Sequence, residues 1–166
     1  MIRIFALLAV FGLSACVVAT TPSTPVVIAT NGANAAVDTD IAFSSQNGDF
    51  GALLNAQRAA NGLPALRANS RLTAAASAHA GDMVAGNFFS HTGSNGSSVG
   101  DRARIAGYCW MTVAENLAFG SFSTAAVVEG WMNSPAHRRN MLKSNVSEFG
   151  YAKVGDKYVL VLARPC

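Results

Sequence analysis

Histidine is the residue type in this 166-residue chain best suited to chemistry, because imidazole titrates near neutral pH and binds transition metals. The chain has three histidines, His79, His91 and His137, in widely separated segments. Two imidazoles and a carboxylate can hold Zn²⁺ with an open coordination position, or can carry out general acid–base catalysis. The HExxH motif of zinc proteases is absent from the sequence. A reactive centre would therefore have to be assembled by the fold from distant segments.

His79 differs from the other two histidines in its surroundings. It falls on the apolar face of a predicted helix, in step with Leu72, Ala76 and Met83. A histidine in such a position is more often a hydrogen-bonded core residue than a ligand. We therefore predict a structural role for His79, with ligand binding as the alternative.

Composition indicates a folded domain that does not bind nucleic acid. Hydrophobic residues make up 51% of the chain and charged residues 13%, which argues against a disordered protein. The 12 Lys and Arg exceed the 9 Asp and Glu by only three. The basic residues are scattered, and only Arg138 and Arg139 are adjacent, whereas nucleic-acid binding requires a basic cluster or stripe.

The N-terminus has the features of an export signal. Arg3 precedes an apolar core at residues 4–13, which is too short to span a membrane. The Leu-Ser-Ala-Cys box that ends at Cys16 resembles the bacterial lipoprotein signal, in which the cysteine is acylated and becomes the first residue. We expect a signal peptide at residues 1–15 and lipidation of Cys16; an ordinary secretory signal with a chance cysteine is the alternative.

Acyl chains on Cys16 would anchor the protein stably in a membrane. Val17 follows the cysteine in place of the aspartate that retains lipoproteins at the inner membrane. We therefore expect the periplasmic face of the outer membrane, or the cell surface, as the location. Residues 16–47 are rich in small and polar residues and lack Lys, Arg and Glu, which predicts a flexible tether; a short strand at 26–28 is the alternative.

The remaining residues, 48–166, carry the periodic patterns of a mixed α+β domain. Helices are predicted to begin after Asp49, after Asn69 or Ser70, at Val99 with Ser97 or Ser98 as cap, after Ser123 or Thr124, and at Ser134-Pro135. Strands are predicted at 108–117, 149–154 and 157–162, the last two forming a hairpin around Gly155-Asp156. The last strand is apolar on both faces, which predicts helices on both sides of the sheet.

Three stretches have distinctive motifs: Asn87–Thr92 (NFFSHT), Ala114–Ala118 (AENLA) and Gly130–Leu142 (GWMNSPAHRRNML). In this order they resemble the CAP superfamily of cysteine-rich secretory, antigen-five and pathogenesis-related-one proteins. Leu54–Arg58 and Asp101-Arg102 fit the same family. The resemblance implies an α+β fold, a three-layer α-β-α sandwich around a small antiparallel sheet.

The family's central cleft contains two histidines and two acidic residues. The resemblance places His91, Glu115 and His137 in that cleft. Ser134 stands where many eukaryotic members have the second glutamate, and Glu129 lies on a different helix face. By resemblance we expect a cleft that binds a small or lipidic ligand or a partner, with Zn²⁺ or another divalent metal on His91, His137 and Glu115. The alternatives are a metal-dependent hydrolase using the same three residues, and a structural envelope module whose cleft is vestigial.

Two cysteines remain once Cys16 is assigned to lipid. Cys109 and Cys166 form an even pair in an exported protein, and a bridge between them would stabilise the fold by ~4 kcal/mol. A reactive Cys109 thiol beside a histidine is the alternative.

Overall fold

The computed structural model describes residues 35–166, with side chains described from residue 46 onward. The predicted signal peptide, Cys16 and the predicted tether up to residue 34 lie outside the described residues. The elements are α1 (Ala35–Ala60), β1 (Arg67–Ala68), α2 (Ser70–Ala85), α3 (Val99–Ile105), β2 (Trp110–Phe119), α4 (Thr124–Asn133), α5 (Pro135–Met141), β3 (Glu148–Val154) and β4 (Lys157–Pro165). None of the described helices is both long enough and apolar enough to cross a membrane.

The four strands form one sheet in the order β1-β3-β4-β2. Strand β4 pairs antiparallel with both β2 and β3, as the predicted hairpin requires. The sheet is mixed rather than wholly antiparallel, because β1 pairs parallel with β3. Strand β1 has only two residues, too few for an alternating pattern to reveal it in the sequence. Among the described strands, β2 has β4 as its single neighbour and is therefore an edge of the sheet.

The α-β-α sandwich follows from the two apolar faces of β4. Tyr158, Leu160 and Leu162 pack on one side with α1, α4 and α5. Val159, Val161 and Ala163 pack on the other side with α2 and α3. Because alternate strand residues point to opposite faces, one continuous apolar run supplies both cores. The predicted α+β class is confirmed.

The predicted N-cap of the first helix is wrong, because α1 continues through Asp49 to Ala35. The stretch before Asp49 contains alanines and no proline that would stop a helix. The helix thus crosses the boundary predicted between residues 47 and 48. Asn47 is buried there: its amide donates to the Tyr151 carbonyl at 3.0 Å, and its Oδ1 accepts from the Tyr151 amide at 3.0 Å and the Thr73 hydroxyl at 3.2 Å.

The other predicted helix starts agree with the structure. Asn69 accepts backbone hydrogen bonds from the first turn of α2, and Ser123 does the same for α4. Ser98 forms a reciprocal capping box with Asp101 at the start of α3. Ser134 occupies the N-cap position of α5 before Pro135, but its side chain makes no capping hydrogen bond.

A buried arginine fixes the orientation of α5, the helix that carries His137. The Arg58 side chain lies at the end of α1 and is fully buried. Its guanidinium donates to the carbonyls of Pro64, Met141 and Lys143 at 2.8–3.0 Å. These acceptors include the last residue of α5, so Arg58 caps that helix and joins it to α1.

Helix α2 lies directly against β3 at Gly150. A Cβ atom at this position would collide with the backbone of Leu72 and Thr73. Glycine therefore allows a close approach that brings the buried face of α2, including His79, onto the sheet.

We predict that Asn47→Ala lowers the free energy of unfolding by about 2 kcal/mol, because the Tyr151 amide and carbonyl are left buried without partners. Urea unfolding of the full-length chain measures the change. The matched control is Asn133→Ala, at an exposed position at the end of α4, where a change of about 0.5 kcal/mol or less is expected. Equal effects of the two substitutions would mean that residue 47 does not pack as part of the domain.

Candidate functional site

The candidate site is built on two consecutive residues of the edge strand β2, Glu115 and Asn116. Their side chains point to opposite faces of the sheet. Glu115 shares its face with Val113 and Leu117, which belong to the α2–α3 core. Asn116 lies on the face covered by α5, where it donates to the His137 carbonyl at 3.1 Å. The edge strand thus contacts His91 on one face and the backbone of His137 on the other.

The Glu115 carboxylate is buried, with 2% of the side chain exposed, and each oxygen accepts a short hydrogen bond. Oε1 lies 2.8 Å from Nδ1 of His91. Oε2 accepts from Nη2 of Arg102 at 2.7 Å. A carboxylate removed from water requires such charged partners, because an isolated buried charge is strongly unfavourable.

Arg102 connects Glu115 with the loop that carries His91. Its guanidinium, 8% exposed, donates to the Ser97 carbonyl at 2.7 Å and to the His91 carbonyl at 3.1 Å, as well as to Glu115. The same side chain therefore holds the carboxylate and the backbone of the histidine that contacts it. Arg102 is a positioning residue for His91.

His91 presents its ring to solvent, with 63% of the side chain exposed. Because the carboxylate of Glu115 can only accept, we assign the ring proton to Nδ1. Nε2 is the ring nitrogen left for another partner, as in metal sites where a carboxylate orients the ligating histidine.

His79 holds the same loop from beneath. Its ring is fully buried on α2, and Nε2 donates to the Ser90 carbonyl at 2.8 Å. Burial lowers the pKa of His79, so the ring is neutral at neutral pH. The prediction that His79 is a hydrogen-bonded core residue is confirmed.

Asparagine side chains position His137 on the other face. Asn140 donates to the Glu115 carbonyl at 3.2 Å and to Oδ1 of Asn116 at 2.9 Å, which fixes α5 against β2. The His137 ring lies beside Trp131, with ring centroids 6.5 Å apart. Burial and then the charge of His91 lower the pKa of His137, so the two imidazoles are within electrostatic reach and His137 is neutral at neutral pH.

In the structure Glu115 contacts His91, but its carboxylate is not free to bind a metal ion. Both its oxygens are engaged, so the predicted set of His91, His137 and Glu115 reduces to two available imidazoles. In the described part of the chain, no three His, Cys, Asp or Glu side chains form a group that could hold a metal ion. Glu129 is exposed on α4 and supplies no second carboxylate here.

Sequence reasoning missed the roles of Arg102, Asn116 and Asn140. The sequence indicated Arg102 only as part of a family motif, because a single arginine on a short helix does not predict which residue it will pair with.

Gly96–Gly100 (GSSVG) matches the GxSxG pattern of serine hydrolases. Its serine, Ser98, caps α3 and donates to Asp101 at 2.6 Å, so it is not a nucleophile on a strand-to-helix turn.

The predicted disulfide between Cys109 and Cys166 is present. It joins the residue before β2 to the residue after β4, where Trp110 pairs with Pro165. The bridge fixes the edge strand that carries Glu115 to the centre of the sheet. Cys109 is therefore not a free thiol.

Comparison with known families agrees with this architecture. The model of the cysteine-rich secretory protein family, CAP, matches residues 52–162, more than half of the chain. The chain belongs to the CAP family. The match includes α2 to α5, strands β1 to β3 and β4 up to Leu162, and therefore every site residue from His79 to Asn140 described above.

Two Bacillus subtilis proteins similar to this chain have names that state no activity. The uncharacterized protein YkwD is 35% identical over 102 residues, which are 61% of this chain and 40% of YkwD. The uncharacterized membrane protein YlbC is 33% identical over 106 residues, 64% of this chain and 30% of YlbC. The chain thus spans less than half the length of either relative.

Solved structures share the CAP fold. An extracellular protein with an SCP domain from Bacillus anthracis superposes with a TM-score of 0.72 and 25% identity, covering 80% of this chain and 45% of that one. An outer surface protein of Borrelia burgdorferi superposes with a TM-score of 0.64 and 19% identity, covering 81% of this chain and 97% of that one. The second likeness is one of fold alone.

We predict that Arg102→Met lowers the free energy of unfolding by about 3–5 kcal/mol, because Glu115 remains buried without its cationic partner. The double variant Arg102→Met/Glu115→Gln should be less destabilised than the single variant, because it removes the uncompensated charge. Urea unfolding of all variants measures both effects. Arg139→Met, at an exposed position on α5, is the control and should change stability by about 0.5 kcal/mol or less. A double variant that is less stable than Arg102→Met would contradict this account of the pair.

Proposed function

We propose that this chain is an exported CAP-domain protein that binds a small or lipidic ligand beside His91 and His137. We further propose that a divalent cation such as Zn²⁺ is held by the two imidazoles. The observation that carries the proposal is the exposed His91 ring held by a buried Glu115–Arg102 pair. A ring held in this way presents Nε2 to solvent in a fixed direction.

The proposed site offers a cation two protein ligands. Nδ1 of His91 is directed at Glu115, which leaves Nε2 for coordination, and His137 is neutral and so able to coordinate. Glu115 supports the site from behind, by fixing the ring of His91 and its tautomer. A bound cation would supply positive charge for an anionic or carbonyl group of the ligand, and the remaining coordination positions would be open to it.

Exposed aromatic residues support an apolar portion in the ligand. Phe89 precedes His91 by two residues, and Phe119 lies on the same strand face as Glu115. Their rings pack together with centroids 4.9 Å apart, yet Phe89 is 45% and Phe119 57% exposed. Exposed aromatic pairs beside a polar site are typical of binding surfaces.

The arrangement favours binding over hydrolysis. A metal-dependent hydrolase needs a base, usually a carboxylate, to take the proton of the attacking water. Glu115 is committed to Arg102 and His91, Ser134 stands at the position of the family's second glutamate, and Glu129 is exposed elsewhere on α4. We therefore propose ligand binding as the function of this site.

We also propose that the chain is exported and anchored to a membrane by lipid. The matched family is named for secretory proteins, and the B. anthracis structure is described as extracellular, which supports export of this chain. The box ending at Cys16 supports an N-terminal lipid anchor. We propose the periplasmic face of the outer membrane, or the cell surface, as the location.

We predict that the full-length protein binds one Zn²⁺ near pH 7, as measured by calorimetry. His91→Ala or His137→Ala should weaken binding at least tenfold, since each removes a proposed ligand. Glu115→Gln should weaken it by about tenfold, because the His91 ring loses its orienting anion. Binding should also weaken as the pH falls to 5, because His137 must be neutral to coordinate.

The control for these variants is Glu129→Gln, which changes an exposed carboxylate on α4 outside the proposed ligand set and should leave the affinity within about twofold. Zinc binding that persists in the double variant His91→Ala/His137→Ala would exclude these residues as the metal site. A large loss of thermal stability in that variant, without zinc binding by the wild type, would instead favour the structural module.

We predict that Cys16→Ser moves the expressed protein from the detergent phase to the aqueous phase in Triton X-114 partitioning, because the acyl chains are lost. Cys109→Ser/Cys166→Ser is the matched control: it removes the other cysteines and should stay in the detergent phase. Detergent partitioning that is unchanged in Cys16→Ser would rule out the lipid anchor.

A further inference from the structure

Most of the exposed apolar side chains lie at one end of the sheet, where the turn between β3 and β4 is found. Six large apolar side chains are exposed among the described residues. Ile105 and Met111 lie at the opposite end, because α3 packs on the start of β2 and Met111 is the second residue of that strand. The other four lie at the end with the turn and together are called the apolar end: Val84, Phe89, Phe119 and Phe122.

Contacts with the β3–β4 hairpin place the first three of these side chains. Val84, near the end of α2, lies against the turn, since a Cβ atom at Gly155 would be 3.4 Å from a Val84 methyl group. Phe119 ends β2 and pairs with Lys157, the first residue of β4. Phe89 packs on the ring of Phe119. These apolar groups therefore come from three separate segments of the chain.

Phe122 is held at the same end through its backbone. The buried Tyr158 hydroxyl accepts from the Phe122 amide at 3.0 Å and donates to the Phe122 carbonyl at 2.8 Å. The Gly120 amide donates to the Asp156 carbonyl at 2.9 Å, which joins this loop to the hairpin turn. The loop backbone is thus fixed, yet Phe122 is 51% exposed. Apolar groups that are grouped and exposed in this way mark protein or membrane interaction surfaces.

The chain that leads to Cys16 enters the domain at the apolar end. Helix α1 runs antiparallel to β3: Gly51 lies against the ring of Phe149, near the start of the strand, and Gln46 accepts from the Lys153 amide at 3.4 Å, near its end. Followed towards its N-terminus, α1 therefore leaves the sheet beside the hairpin turn. A lipid anchor on Cys16 would connect to the domain from this side.

We propose that the apolar end is a membrane-contact surface, whose side chains insert into the interfacial layer of the bilayer that anchors the protein. This inference rests on the lipid anchor proposed for Cys16, which keeps the domain close to lipid. Insertion removes the exposed phenylalanine rings from water. Glu115 lies about 13 Å from Phe119 along β2, so this orientation also brings the His91 site near the membrane, where a lipidic ligand is available.

Apolar area, and not charge, accounts for this contact. Lys157 donates to both carboxylate oxygens of Asp156, at 2.9 and 3.1 Å, and its ammonium lies 5.4 Å from the centre of the Phe119 ring. Lys153 has no carboxylate partner among the described residues. One such lysine is fewer than the cluster of about four to eight basic residues that recognises anionic lipid. Neutral lipid should therefore be sufficient.

The test uses the full-length protein in phosphatidylcholine vesicles, compared with vesicles of the same lipid brominated on its acyl chains. Bromine quenches the fluorescence of tryptophan that touches the lipid. Phe122→Trp and Val84→Trp place a reporter at the apolar end. Met111→Trp is the matched control, because Met111 is also an exposed apolar residue but lies at the other end of β2. The wild type supplies the background fluorescence of Trp110 and Trp131.

We expect bromination to reduce the added fluorescence of Phe122→Trp and Val84→Trp by about half, because an interfacial side chain lies about 5–10 Å into the lipid. Met111→Trp should keep its fluorescence, since residue 111 lies about 26 Å from Phe119 along β2. The quenching should persist in high salt, and Phe122→Trp should bind zinc as the wild type does.

Flotation of the same vesicles distinguishes failure of this proposal from failure of the anchor. Protein that floats with the vesicles but shows no quenching at residues 84 and 122 would overturn the membrane-contact surface and leave the anchor standing. Equal quenching of all three variants, or quenching that high salt abolishes, would overturn it as well. Wild-type protein that does not float would overturn the anchor, and this proposal with it.

Discussion

The buried ion pair between Arg102 and Glu115 is the interaction on which the rest of the site depends. A carboxylate with 2% exposure needs a charged partner, and a guanidinium with 8% exposure needs acceptors. Arg102 finds them in Glu115 and in the carbonyls of Ser97 and His91. The electrostatic requirement of one buried charge thereby determines the path of a loop and the direction of a histidine ring at the surface.

The position of β2 at the sheet edge explains how groups from separate layers come together. On a central strand, Glu115 and Asn116 would face two cores that the sheet keeps apart. On the edge strand they still point to opposite faces, and the α2–α3 loop and α5 each contact the strand from their own side. Glu115 holds His91 in one layer, and Asn116 and Asn140 hold α5, with His137, in the other. The Cys109–Cys166 bridge fixes this edge to β4.

Short-range features account for what could be predicted. Asn69, Ser98 and Ser123 cap their helices, and the turn at Gly155-Asp156 joins β3 to β4, because each depends on residues within a few positions of itself. The predicted start of α1 was wrong because it also rested on a local signal. Asp49 has the chemistry of a cap, but no proline before it stops the helix, and α1 extends past it to Ala35. The contact that holds Asn47 to Tyr151 joins residues too distant in sequence for any local pattern.

The sequence by itself determined the starts of α2 to α5, the hairpin, the doubly buried β4, the cysteine pair and, through motif resemblance, the family. These depend on periodicity, turn chemistry and residue type, all readable along the chain. The tertiary structure alone decided which atoms meet: that Glu115 is bound by Arg102, that Nε2 is the free nitrogen of His91, and that His79 supports the loop beside it. Such pairings are set by long-range packing and by the need to compensate buried charge, and neither leaves a local trace in the order of residues.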